Sequence, residues 1–178
     1  AIMITLCVEQ PALLARTGDK LHTGDRNGTV GRTSGLGIYG GFQGNETLLD
    51  ERNWYLHETT LTGSIGLVGI SDDSYHVVWA IATSSSARLD GFKIAYGNAN
   101  GTGGDGNGGG LYTNSSPTIA NCRFTNNRAV YGGGIYHGNA DYGGPVILNC
   151  QFINNLGSHD GGGIYTRYND STPLIVNC

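Results

Sequence analysis

The sequence predicts an all-β repeat protein whose short strands coil into a parallel β-helix, a solenoid. A spine of the form PxIxNCxFxNNx begins at Pro117, recurs 28 residues later at Pro145, and begins again at Pro173. Self-similarity at a fixed period of this length indicates one supersecondary unit that is copied and stacked. A second element, GGG(L/I)Y, occurs once in each unit, at 108–112, 132–136 and 161–165. The 31 glycines lack the three-residue period of collagen, and they favour tightly turning β structure.

The first 34 residues do not follow the repeat, and we expect them to form an N-terminal cap and an irregular first coil. The stretch Glu9–Arg16, with Gly18 beyond it, has the pattern of a short helix that places Leu13 and Leu14 on one face. Such a capping helix would cover the open first coil and its unpaired backbone groups.

The parallel β-helix is predicted over 35–178, with an entry module at 35–80 and repeat coils at 81–178. The entry module contains alternating segments that read as strands separated by turns, without a clean copy of the spine. The frame of the spine extends one unit upstream of Pro117, where Leu89 takes the place of Ile119. We therefore expect roughly five coils with three short strands per turn.

Within each coil, the alternation predicts which side chains fill the interior. In the copy at 117–124, Ile119 points inward, Asn121 turns a corner, Cys122 and Phe124 point inward, and Arg123 points outward. The equivalent asparagines of successive copies should hydrogen-bond to one another along the axis, because Asn tolerates the turn conformation and can bond its own loop.

Composition excludes several classes of function. The formal net charge is -4 and the charged residues are thinly scattered, so nucleic acid is not an expected partner. The longest apolar stretch, Ala1–Val8, is far shorter than the roughly 20 residues of a membrane-spanning helix. Ala1 is not an initiator residue, so we expect any export signal to have been removed or to lie outside this sequence.

The repeated GGGIY, followed by SPxIxNCxFxNN, resembles the coil signature of bacterial right-handed parallel β-helix proteins of the polymorphic outer-membrane and autotransporter-passenger type. Upstream, the segment Ile38–Val78 is similar to the entry module that precedes the repeats in large secreted β-helix proteins. The resemblance covers Gly35–Cys178, and it implies a right-handed, single-stranded β-helix in a protein exported to the cell surface or beyond.

The four cysteines are Cys7, Cys122, Cys150 and Cys178, and the last three occupy the same place in successive copies. Stacked residues lie about 4.8 Å apart with parallel side chains, so a direct disulfide between them would be strained. We expect three buried free thiols. No Cys/His pattern has metal-ligand spacing, and Asp105 in its glycine-rich loop is too isolated for a calcium site, so we expect no metal and no cofactor.

Tyrosine follows the inward residue of each GGG(L/I)Y element, so alternation places Tyr112, Tyr136 and Tyr165 outside in a stacked stripe. Ring pairing alone explains such a stripe. An exposed aromatic row beside variable loops could also bind sugar rings, and these three tyrosines are the candidate ligand-binding residues.

Polysaccharide lyases and glycoside hydrolases occur on this fold, and hydrolysis requires two carboxyl groups on a common face. Asp72 and Asp73, near His76, form a close acidic pair, but neighbouring residues on a strand face opposite sides. We therefore expect no catalytic residues and no enzymatic activity.

The favoured function is a non-enzymatic extracellular or cell-surface β-helix that serves in structure, adhesion or filament formation. The alternative is a carbohydrate-binding or polysaccharide-degrading β-helix of the lyase or hydrolase kind. Expected partners are another copy of the chain, stacked end to end against Cys178, and a polysaccharide.

Overall fold

The computed structural model describes residues 2–4, 13–14, 37–65, 69–81, 85–138, 143–168 and 172–178. These residues form short strands and two single-turn 3₁₀ helices, at Leu49–Glu51 and Gly103–Gly106. The strands are β1 (Ile2–Ile4), β2 (Leu13–Leu14), β3 (Gly37–Tyr39), β4 (Thr59–Thr62), β5 (Val78–Ala80), β6 (Arg88–Asp90), β7 (Phe92–Ala95), β8 (Asn98–Ala99), β9 (Leu111–Thr113), β10 (Thr118–Ala120), β11 (Arg123–Thr125), β12 (Arg128–Tyr131), β13 (Ile135–His137), β14 (Val146–Leu148), β15 (Gln151–Ile153), β16 (Leu156–Asp160), β17 (Ile164–Thr166) and β18 (Leu174–Val176).

Successive turns of the chain stack their strands into four sheets, numbered in the order in which one turn passes through them. Sheet 1 has the strand order β2-β3-β6-β10-β14-β18, and sheet 2 has the order β4-β7-β11-β15. Sheet 3 has the order β8-β12-β16, and sheet 4 has the order β1-β5-β9-β13-β17. The predicted all-β parallel solenoid is confirmed.

The register of the stack follows the sequence repeat. Ile119 pairs with Ile147, and Ile147 pairs with Ile175, in parallel strands of sheet 1. The solenoid makes about four turns, and β18 begins a further one, where the sequence predicted roughly five coils. The prediction of three strands per turn is wrong, because sheet 3 supplies a fourth strand between the Asn126 corner and the glycine run.

The first turn is paired by antiparallel strands. Leu13 and Leu14 form β2, which pairs with β3 in sheet 1, and β1 pairs with β5 in sheet 4. The predicted capping helix is therefore wrong at Leu13 and Leu14; the rest of Glu9–Arg16 lies outside the described residues. A strand gives the unpaired backbone groups of an edge their hydrogen bonds, whereas a helix would only cover them. The predicted boundary between residues 34 and 35 and Cys7 also lie outside the described residues.

The interior consists of columns of equivalent side chains, one from each turn. Ile119 and Ile147 are fully buried, as are Phe124 and, beneath it, Ile94. Phe124 stacks on Phe152 with ring centroids 5.1 Å apart and planes 6° apart. Burial of each such side chain contributes about 1.5–3 kcal/mol, so these columns are the main stabilising feature of the stack.

Each turn bends at corners where the backbone enters the left-handed region. Asn121, Asn149 and Asn177 have φ of 52°, 52° and 55°, which confirms the predicted corner between sheets 1 and 2. The corner between sheets 3 and 4 uses glycine: Gly132 has φ of 67°. A Cβ atom on Gly134, two residues later, would lie 2.5 Å from the carbonyl oxygen of Gly163 in the next turn. The GGG element therefore combines a left-handed corner with close approach between turns.

Candidate functional site

The predicted tyrosine stripe exists as a continuous aromatic column on the outside of sheet 4. Trp79, Tyr112, Tyr136 and Tyr165 stack in that order, with centroid separations of 4.4, 5.2 and 5.6 Å and planes 13–16° apart. We refer to these four residues as the aromatic column. Parallel pairing in register, Tyr112 with Tyr136 and Tyr136 with Tyr165, produces it directly.

Stacking changes what the column can offer to a ligand. Tyr136 is only 2% exposed, so the expectation of an exposed row is wrong at its centre. The faces of its ring are covered by Tyr112 and Tyr165, and Arg167 hydrogen-bonds to its hydroxyl group. Burial raises the pKa of the Tyr136 phenol above its usual value. The rings therefore present edges rather than free faces, and sugar rings cannot stack on the inner members of the column.

A groove of about 420 Å³ runs beside the column, at the junction of sheets 3 and 4. Its lining includes Tyr112, Tyr131, Tyr165 and Arg167. The role of Tyr112, Tyr136 and Tyr165 in ligand binding stays a prediction, and any such binding would have to use hydroxyl groups and the Arg167 guanidinium.

The corner asparagines form a hydrogen-bonded ladder parallel to the solenoid axis. Asn177 Nδ2 donates to Asn149 Oδ1 at 2.9 Å, and Asn149 Nδ2 donates to Asn121 Oδ1 at 3.2 Å. Asn121 Nδ2 then donates to Asp90 Oδ1 at 2.9 Å. The predicted bonding along the axis is confirmed, and each amide points its donor toward the N-terminal turns.

Asp90 ends this asparagine ladder as a buried carboxylate between two arginines. Arg52 Nη2 lies 2.6 Å from Oδ1, and Arg88 Nη2 lies 2.7 Å from Oδ2. Burial opposes ionisation of this carboxyl, but hydrogen bonds from Asn121, Arg52 and Arg88 outweigh it and lower the pKa of Asp90. This ion pair could not be predicted from the repeat, because Arg52 belongs to a loop outside it.

The cysteines form a column inside the corner between sheets 1 and 2. Cys122, Cys150 and Cys178 are free thiols. Cys122 and Cys150 are buried as predicted, but Cys178 is exposed, since no described residue packs over the turn that contains it. Burial raises the pKa of the Cys122 thiol well above its usual value, so this sulfur behaves as a small apolar group.

The remaining candidate groups do not assemble into one centre. His76 Nδ1 lies 3.0 Å from the Gly108 carbonyl oxygen, and its ring packs against Trp79 at 4.5 Å. Asp73 instead lines a groove with residues of sheet 3. Within the described ranges, no cluster of three or more His, Cys, Asp or Glu side chains could hold a metal ion. That the protein binds no metal stays a prediction.

Sequence reasoning missed two surface features, one at each end of the strands of sheet 2. The first is the aromatic loop, residues 48–58, in which Trp54, Tyr55 and Leu56 are exposed. The second is the corner groove, a cavity of about 500 Å³ that Asp73, Tyr96 and Arg128 help to line. The sequence signal for the aromatic loop was the run of three consecutive large apolar residues, Trp54, Tyr55 and Leu56. The second joins residues that are far apart in the sequence.

The stacked parallel sheets, the left-handed corners and the axial side-chain columns define the class of this protein as a parallel β-solenoid repeat protein. Residues 121–138 and 149–167, about a fifth of the chain, match the family model of the Chlamydia polymorphic membrane protein repeat. This match and the parallel β-solenoid together support the resemblance to β-helix proteins of the polymorphic membrane protein type. No curated protein and no solved structure matches the chain.

Repeats of this type imply a surface-exposed module associated with the outer membrane. Among the described residues, neither 3₁₀ helix nor any other helix has the length and apolar character needed to cross a membrane.

Proposed function

We propose that the chain is a rigid, non-enzymatic module of the cell surface with a structural and adhesive role. The observation that carries this proposal is that the repeated side chains pack against one another or form the corners of the solenoid. The asparagines bond to one another, the tyrosines stack on one another, and Cys122 and Cys150 fill the interior. A repeat that keeps its reactive groups internally satisfied suits a scaffold better than a catalyst.

The aromatic loop supports the adhesive part of the proposal. Tyr55, Leu56 and Leu48 are 75%, 69% and 61% exposed, and Leu49 and Trp54 are exposed beside them. Clustered apolar side chains on a protein surface mark sites of interaction, because leaving them in water is unfavourable.

The same loop is held firmly against the solenoid. Arg52 reaches Asp90, and Glu58 lies 3.0 Å from both Lys93 and Arg123 on the outside of sheet 2. Inside the loop, Asn53 Oδ1 accepts hydrogen bonds from two following backbone amides. A loop that is already ordered loses little conformational entropy when it binds, which favours its use as a contact surface.

An attachment assay tests the adhesive role. Cells that display the chain on their surface are allowed to attach to immobilised epithelial-cell membranes and to one another, and the variant Tyr55→Ser/Leu56→Ser is compared with the wild type. We expect the variant to lose most of the attachment while its thermal unfolding temperature stays unchanged, because both side chains are exposed. The matched control is Tyr168→Ser, which removes an exposed tyrosine elsewhere and should attach as the wild type does. Equal attachment by all three proteins would contradict the adhesive role.

Incubation with acidic and neutral polysaccharides tests the non-enzymatic role. We expect no new reducing ends and no unsaturated products at any pH. Sustained turnover would overturn this part of the proposal and favour the lyase or hydrolase alternative.

The expected end-to-end association of copies stays a prediction, which sedimentation velocity over a range of protein concentrations can test. A single monomeric species at high concentration would contradict it.

A further inference from the structure

The corner groove lies where the chain turns from sheet 2 into sheet 3. The corner residues of three successive turns, Tyr96, Asn126 and Asn154, contribute to its lining. Arg128 extends from β12, and Asp73 comes from the loop that precedes β5. The volume of about 500 Å³ is within the range of small-ligand sites.

Tyr96 occupies a backbone conformation that disfavours it. Its φ is 63°, in the left-handed region, where the two following turns use Asn126 and Asn154. Asn visits this region readily, whereas a bulky aromatic residue there is a conformational outlier that costs about 1–3 kcal/mol. A tyrosine at this corner is therefore not explained by the turn.

The Tyr96 side chain also gains little from the fold. Its side chain is 46% exposed, and it makes no ring contact or hydrogen bond with other described residues. Among the described residues no aromatic ring stacks on it, unlike the rings of the aromatic column, and about half of its surface is open to solvent. An aromatic face left open at the wall of a groove is a platform on which a ligand can stack.

Asp73 is a buried carboxyl that lacks a full set of partners. It is 5% exposed, and Ser64 hydrogen-bonds to it, but Oδ1 has no hydrogen-bond partner among the described residues. Burial first, and the nearby Asp72 second, raise the pKa of Asp73. A buried oxygen without a partner is unfavourable, so a small rotation of the Asp73 side chain that brings Oδ1 to a ligand hydroxyl group in the groove would be stabilising.

The loop around Asp73 is fixed in place. Asn98 donates from its backbone amide to the Ser74 carbonyl at 2.8 Å and from Nδ2 to the Ile70 carbonyl at 2.7 Å. Ser74 in turn donates its amide to the Gly63 carbonyl at 2.7 Å. The carboxyl is thus positioned by sheet 3 before any ligand arrives, which reduces the cost of binding.

The charged and amide groups of the groove favour a neutral, polar ligand. Arg128 is exposed and forms no ion pair with any described carboxylate, although its charge acts on Asp73. The groove therefore contains one acidic side chain, one basic side chain and the amides of Asn126 and Asn154. A ligand that both donates and accepts hydrogen bonds satisfies this set better than an anion, a cation or an apolar molecule.

We propose that the corner groove binds a hydroxyl-rich oligosaccharide, with a sugar ring stacked on Tyr96 and its hydroxyl groups bonded to Asp73, Arg128 and the corner amides. The aromatic ring, the carboxyl, the guanidinium and the amides together meet both the apolar face and the hydroxyl edge of a sugar. This site is separate from the aromatic loop and goes beyond the structural and adhesive role.

Binding of the purified protein to an array of immobilised neutral and acidic oligosaccharides tests the site. The decisive variant is Tyr96→Asn, which introduces the residue found at the same corner in the two following turns. We expect the wild type to bind at least one neutral oligosaccharide and the variant to bind it at least tenfold more weakly. The variant should unfold at the same or a higher temperature, because Asn relieves the left-handed strain.

A second variant, Asp73→Asn, should likewise bind the oligosaccharide more weakly without becoming less stable. Replacement of a buried carboxyl that has one unpartnered oxygen should raise the unfolding temperature, and saccharide binding should weaken. The control Tyr55→Ser should bind the oligosaccharide normally, and Tyr96→Asn should attach to membranes normally, so failure of one proposal is distinguishable from failure of the other. Absence of oligosaccharide binding by the wild type, or equal binding by Tyr96→Asn, would overturn the site. A lower unfolding temperature for Tyr96→Asn would do the same, because it would assign Tyr96 a structural role.

Discussion

Single asparagines at the corners meet two physical requirements at once. The backbone of Asn149 has φ of 52°, and its side chain both donates to Asn121 and accepts from Asn177. Glycine could supply the conformation without the ladder, and most other residues could supply neither. This double requirement explains why asparagine, rather than another turn residue, recurs every 28 residues.

Substitution of Asn149 separates the two contributions. Asn149→Ala should destabilise the protein by about 2 kcal/mol, because alanine is strained in the left-handed region and forms no ladder bond. Asn149→Gly should cost only about 0.5 kcal/mol, because glycine adopts that backbone conformation freely and loses only the two exposed hydrogen bonds of the ladder. Urea unfolding of both variants measures the difference. Equal losses would show that the corner does not require the left-handed conformation.

The buried Asp90 carboxylate predicts sensitivity of the fold to acid. Its folded-state pKa is lower than the usual value of 3.8, so the unfolded state binds protons more readily. Its contribution to stability is therefore complete above about pH 4 and is lost as the pH falls through the folded-state pKa. Urea unfolding from about pH 5 to about pH 2 should show a steeper loss for the wild type than for Asp90→Asn, which does not titrate. Parallel pH profiles would contradict this assignment.

At the scale of elements, the aromatic column joins the outer surfaces of neighbouring strands in sheet 4. Tyr136 stacks on Tyr112 on one side and on Tyr165 on the other, so its ring couples three turns. The column therefore stabilises the stack from outside, in parallel with the aliphatic columns of the interior.

Truncation of Tyr136 tests this structural role. Tyr136→Ala should cost about 3 kcal/mol, because a buried ring with partners on both faces leaves a cavity. Tyr136→Phe should cost less than about 1 kcal/mol, since it keeps the stack and loses only the hydroxyl bonded to Arg167. Thermal and urea unfolding give both values. A Tyr136→Ala variant as stable as the wild type would indicate that the column exists for a ligand rather than for packing.

Much of this element structure could be predicted, because strands with alternating and repeated side chains carry their pairing partners in the sequence. Ile119 and Ile147, for example, occupy the same place in successive copies of the spine, and they pair in sheet 1. β12 and β16 could not: RAVY and LGSHD share no residue, so the strands of sheet 3 left no repeated pattern. The capping helix was predicted from Leu13 and Leu14, where helix and strand patterns are indistinguishable over so short a segment.

At the scale of the whole molecule, the repeated residues determine the solenoid scaffold. Insertions and substitutions that depart from the repeat determine the surfaces proposed to bind partners. The aromatic loop is an insertion between β3 and β4, and the corner groove depends on Tyr96, where the corner residue differs from that of the following turns. A site built from residues 73, 96 and 128 could not be predicted from the sequence, because only the stacking of turns brings them together.

The central claim is that equivalent residues of successive 28-residue units lie directly above one another. Methyl-labelled NMR spectra of the isoleucines test this most directly, through nuclear Overhauser effects between side chains. Strands one turn apart are separated by about 4.8 Å, so we predict strong cross-peaks between the Ile119 and Ile147 methyl groups and between those of Ile147 and Ile175. Ile119 and Ile175, two turns apart, should give a far weaker signal or none. Absence of the Ile119–Ile147 cross-peak in an otherwise well-resolved spectrum would contradict the stacked solenoid.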